Sequence, residues 1–132
     1  MLGHFVAVAV GGALGAVLRA AVSVAMPAAA GGLAPTLVVN LGAAAALGAI
    51  VGLARRRPLS PRVSAFLATG LLGSLSTYST FAVEVHELLL AGRVVVAIGY
   101  AVGSVVLGIA AAWTGRRIAI GFATPRSPAA SS

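Results

Sequence analysis

The sequence contains no cysteine, no lysine and no aspartate, and its only acids are Glu84 and Glu87. Without cysteine there are no disulfides or thiolate metal sites, and the redox compartment stays open. Charged residues make up only 8% of the 132 positions, against 60% hydrophobic residues and a mean hydropathy of +1.08. That leaves too little polar surface for a soluble domain, so the composition describes an integral membrane protein. Also missing are paired carboxylates, a nucleophile beside a base, a phosphate loop and metal-ligand spacing, which argues against an enzyme.

The charge that is present comes from nine arginines and sums to +7. A basic balance can signal nucleic acid, but these arginines stand at the ends of apolar segments, where lipid headgroups account for them. No nucleic-acid partner is expected.

Four apolar spans follow one another: Gly3 to Met26, ended by Pro27; Leu33 to Ala54, stopped by Arg55-Arg56-Arg57-Pro58; Val63 to Leu90; and Val94 to Trp113. Each is close to the roughly 20 residues that a helix needs to cross the hydrocarbon core. The first lacks a basic start and is too long for a signal peptide, so it reads as a retained helix. The expected domain is a four-span unit over residues 1–115, followed by a disordered tail over 116–132 rich in Ser-Pro and Thr-Pro. Glycines recur four apart at Gly11/Gly15, Gly48/Gly52 and Gly99/Gly103, a spacing that lets helices approach closely in lipid.

The third span carries the chemistry. Gly70, Gly73, Ser74, Ser76 and Thr77 are poor helix formers, and the hydroxyls compete for backbone bonds, so an interruption is expected mid-membrane. An interruption frees carbonyls that can hold a cation and amide hydrogens that favour an anion. The competing expectation is a continuous helix whose hydroxyls bond back one turn.

Tyr78 and Phe81 share a helix face beside Ser79, Thr80 and Glu84; their ring edges either meet an anion or simply pack. Asn40, one turn after Thr36, either donates to an anion or fastens two helices together. Tyr100 and Ser104 are four apart and either continue a polar stripe or are satisfied locally. Arg19 either snorkels to headgroups or marks an anion-attracting vestibule.

Three stretches resemble the CrcB/Fluc family of fluoride channels over nearly the whole chain: Gly11 to Arg19, Thr36 to Gly42, and Gly70 to Phe81. Each is weak alone, and the three in order within four spans are specific. The resemblance implies an all-α membrane protein whose third helix is broken at mid-membrane and which assembles as an antiparallel dimer with two pores, passing fluoride passively out of the cell.

It further implies a central structural Na+ held by backbone carbonyls, here those of Gly73 and Ser76. The pore residues it implies are Asn40, Tyr78, Ser79, Thr80, Phe81, Glu84, Tyr100 and Ser104, with Arg19 in the vestibule. Tyr78 departs from the family's phenylalanine. Its hydroxyl needs a partner, and either donates to the ion or obstructs it.

With four spans both termini lie on one side, which carries Arg55, Arg56, Arg57, Arg62, Arg116, Arg117 and Arg126; the other has Arg93 and, near the mouth, Arg19. This bias places the termini in the cytoplasm of a cell-membrane protein. It is too strong for a chain inserting both ways, so an oppositely oriented related subunit is expected as partner. Two rivals remain: a proton-coupled drug antiporter, which would need an acid within its first span, and a non-conducting assembly subunit.

Overall fold

The computed structural model describes residues 2–26 and 33–121. Among them are four apolar helical spans, as the hydropathy of the sequence requires. Helix α1 covers Leu2–Ala25 and α2 Leu33–Ala54. The third span is divided into α3 (61–75) and α4 (Tyr78–Leu90), and α5 covers Val94–Gly121. The expected stop at Pro27 lies outside the described residues.

Local sequence explains where these helices begin and end. Ser60 caps α3 by accepting the Val63 amide at 3.4 Å, and Pro61 opens the helix where no amide hydrogen is needed. At the other end of the span, Gly92 takes φ +71°, the left-handed geometry that suits glycine. There the Arg93 amide reaches the Leu88 carbonyl at 2.9 Å and the Gly92 amide reaches Leu89 at 3.0 Å, so the chain reverses directly into α5.

The helices associate as two parallel pairs, and glycines set the spacing. A Cβ built on Gly11 would lie 2.3 Å from the Phe66 carbonyl oxygen, and one on Gly15 2.2 Å from that of Leu71, so α1 lies directly on α3. In the second pair, a Cβ on Gly48 would lie 1.9 Å from the Ala112 oxygen and one on Gly115 2.0 Å from that of Ala45. Any side chain at these points would force the helices apart. Gly99 and Gly103 differ from the expectation: nothing lies within 4 Å of a Cβ at either position, so they pack no helix of this subunit.

Two further features depart from the sequence reading. Within α3, Ala65–Leu72 forms a π-helical run between the α-helical turns Pro61–Ser64 and Gly73–Leu75. Its widened turns carry the Phe66 and Leu71 carbonyls that face Gly11 and Gly15. The fourth span also continues past Trp113 and Arg116 to Gly121, so residues 116–121 are helical rather than a disordered tail. Residues 122–132 lie outside the described part.

Few side chains are buried. Val39, Ala43, Leu72, Leu88, Ala97 and Ala119 are the buried apolar residues, while many large apolar residues, such as Val95 and Ile109, face outward. For a chain dissolved in hydrocarbon that surface needs no cover from water.

Candidate functional site

The third span is interrupted at two residues. Ser76 (φ −70°, ψ 150°) and Thr77 (φ −140°, ψ 120°) are extended, and a new helix starts at Tyr78. Thr77 caps it: its Oγ1 accepts the Thr80 amide at 3.2 Å.

Asn40 of α2 holds the interruption in place. Its Oδ1 accepts the Thr77 amide at 2.8 Å, and its Nδ2 donates to the Thr77 carbonyl at 3.1 Å. The side-chain amide thus pairs with a backbone amide as a neighbouring strand would, satisfying polar groups that lipid cannot. In a continuous helix the Thr77 and Thr80 amides would donate to the carbonyls of Gly73 and Ser76, four residues back. With both amides engaged elsewhere, those two carbonyls lose that donor.

A cleft of about 320 Å³ opens beside the interruption, lined by Asn40, Ser76, Thr77, Tyr78, Phe81, Ser104 and Val105. The Ser104 hydroxyl is enclosed and has no hydrogen-bond partner among the described residues. Phe81 stands between two tilted rings, with centroids 6.2 Å from Tyr78 and 5.2 Å from Tyr100. The Tyr78 ring is 81% exposed, and no protein group bonds its hydroxyl among the described residues.

Past Phe81 the polar groups continue. Glu84 accepts the Thr36 hydroxyl at 2.5 Å on one oxygen and the Tyr100 hydroxyl at 2.6 Å on the other. Glu84 then lines a second opening of about 190 Å³ with Glu87, Arg93 and Leu33. A stripe of donors, aromatic rings and one carboxylate therefore runs from the interruption to the end of the molecule where α4 turns into α5.

The structure brings together Asn40, Tyr78, Phe81, Glu84, Tyr100 and Ser104 from the sequence reading. It does not bring in the others equally. Ser79 and Thr80 are exposed, their hydroxyls 3.3 and 3.1 Å from Thr77 Oγ1, and neither lines the cleft. The Ser76 hydroxyl bonds back to the Leu72 carbonyl at 3.0 Å, as the competing expectation had it, although the helix is broken. Arg19 is half-buried on α1, which contributes nothing to the cleft.

Two contributors carried no assignment. Thr36 is buried against Glu84, and Thr77 is both the clamped residue and the helix cap. The spacing of Thr36 one turn before Asn40 was the available signal for the first. Nothing in the sequence distinguished Thr77 from its hydroxyl neighbours.

Residues 6–116 match the family described as CrcB-like protein, Camphor Resistance (CrcB). The chain is 38% identical over 123 residues to the fluoride-specific ion channel FluC of Paracoccus denitrificans (strain Pd 1222), covering 89% of this chain and 95% of that protein. It is 40% identical over 113 residues to the fluoride-specific ion channel FluC of Idiomarina loihiensis, covering 84% and 88% of the two chains. The fluoride-specific ion channel FluC 2 of Rhodococcus jostii (strain RHA1) is 40% identical over 111 residues, covering 84% and 94%.

Proposed function

The chain belongs to the CrcB-like protein family, and on that footing we propose that it is a fluoride-selective channel that lets fluoride leave the cytoplasm by passive flow. The observation that carries this reading is the cleft beside the interrupted third span, where the Asn40 amide, the Phe81 ring and a Ser104 hydroxyl with no partner among the described residues converge. Fluoride is small and tightly hydrated, so a path must replace its water with several donors at once.

Each donor has a defined capacity. Ser104 has a hydroxyl proton to give. Asn40 Nδ2 has one hydrogen on Thr77 and a second beyond it. At Glu84 an arriving anion competes with a carboxylate for the Thr36 and Tyr100 protons, so passage there is an exchange of partners. A larger anion gains less from donors held this close.

One subunit leaves the cleft open on one side, with Tyr78 exposed and Gly99 and Gly103 unpacked. This supports assembly with a second subunit in the opposite orientation. The arginine bias supports a fixed orientation with both termini cytoplasmic, and hence a related chain as the partner. The Gly73 and Ser76 carbonyls, deprived of their helical donors, are oxygen ligands suited to a structural Na+ at the centre of such an assembly. The drug-antiporter alternative lacks its acid, since α1 contains none.

Efflux from liposomes tests the proposal, with the protein alone and with its candidate partner, using fluoride and chloride in parallel. Fluoride release far exceeding chloride release is expected. Equal release of the two anions would defeat the selectivity claim, and no release under either condition would favour a non-conducting assembly subunit.

A further inference from the structure

The arginines gather at one end in a way that conduction does not use. The Arg62 side chain lies against Gly3, its Nε 3.1 Å from where a Cβ would stand, which puts the start of α1 beside the start of α3. A Cβ on Gly52 would lie 3.0 Å from the Arg116 carbonyl oxygen and 3.3 Å from its Cγ, so Arg116 lies against the end of α2. Arg55 and Arg57 turn off that same end, their amides bonded to Val51 and Leu53, and both are exposed. Both acids are on α4 near Leu33, at the other end of α2.

Neither glutamate therefore lies at this end. The Arg116 Nε is enclosed and has no acceptor among the described residues, and the exposed Arg117 guanidinium lies 4.4 Å over the Trp113 ring. Trp113 is itself 56% exposed, as is Ile118 at 53% one residue past Arg117. A tryptophan ring settles at headgroup depth, where its indole meets both water and acyl chain.

We propose that this end, around Trp113, Arg116, Arg117 and the Arg55–Arg57 turn, is a binding site for the phosphodiester headgroup of an anionic phospholipid. The apolar surface beside the cluster selects a lipid over free phosphate. Acyl chains lie along Trp113 and Ile118 while the headgroup meets the guanidinium groups of Arg116, Arg117, Arg55 and Arg57, and clustered positive charge at a membrane surface attracts anionic lipid.

Trp113 is the only tryptophan in the sequence, so its fluorescence reports on this site alone. The full-length protein in liposomes is titrated with brominated-chain phosphatidylglycerol or brominated-chain phosphatidylcholine, each normalised to its unbrominated form. Brominated phosphatidylglycerol is expected to quench with at least about fivefold higher relative affinity, the effect of a single interfacial arginine. The preference should fall toward one in the Arg116→Gln/Arg117→Gln variant and weaken in Arg55→Gln/Arg57→Gln. Arg93→Gln, at the other end, should leave it unchanged.

A wild-type preference near one, or the same preference in both cluster variants, would overturn the site. Loss of the preference in inorganic phosphate but not in chloride of equal ionic strength would reassign it to free phosphate and overturn the lipid reading. None of these readouts depends on whether fluoride passes.

Discussion

Asn40 carries the only side-chain amide in the sequence, and it spends both ends of it on the backbone of one residue. That makes it a clamp on the interruption before it is anything to an ion. Asn40→Ala would strand the Thr77 amide and carbonyl, at about 1–3 kcal/mol for a buried group left unpaired. The expected outcome is a lower unfolding temperature together with lost fluoride flux; a variant that conducts normally would show the clamp to be dispensable. Tyr78 sits at the opposite extreme. Its hydroxyl bonds to no protein group among the described residues, so Tyr78→Phe should retain fluoride efflux from liposomes. Complete loss of flux would show that the phenol itself contacts the ion.

The helices were legible in the sequence to different degrees. The interruption followed from glycine and hydroxyl residues crowded into an apolar span, and α2 from an unbroken run between Leu33 and the arginines. The π-helical run was not legible, because its widened turns are tied to the approach of α1 at Gly11 and Gly15, a tertiary fact that Ala65–Leu72 does not encode. The extension of α5 was hidden by Arg116 and Arg117, which read as a boundary although Ile118, Ala119 and Ile120 continue the helix. Equal glycine spacing likewise concealed unequal roles. Gly48→Ala would drive a methyl group into the Ala112 carbonyl, and overpacking of this kind costs about 1–3 kcal/mol. Gly108→Ala, on the facing helix with nothing within 4 Å, should not destabilise the subunit. Thermal melts of the two variants in detergent check the contrast, and equal melting temperatures would disprove the close contact.

For the molecule as a whole, the distribution of charge sets direction. Seven arginines against two underlie the proposed orientation, in which the seven-arginine side faces the cytoplasm. A reporter fused to the C-terminus should therefore signal from that side only; substantial signal from both sides would restore a homodimer of one chain inserted both ways. The helices also differ in reach. Helix α5 has 28 residues and rises about 42 Å, whereas α2 has 22 and rises about 33 Å, close to the roughly 30 Å of the hydrocarbon layer. Because the Gly48 and Gly115 contacts pin the two side by side, α5 is not free to lean over and hide its surplus. Gly52 stands beside Arg116, so the surplus is divided between the Gly121 end and the Val94 end of α5. Thickening the bilayer by one helical turn would draw Arg116 and Arg117 toward hydrocarbon and strain the pinned pair as their side chains reach back to the headgroups. The protein is thereby fitted to membranes of a particular thickness.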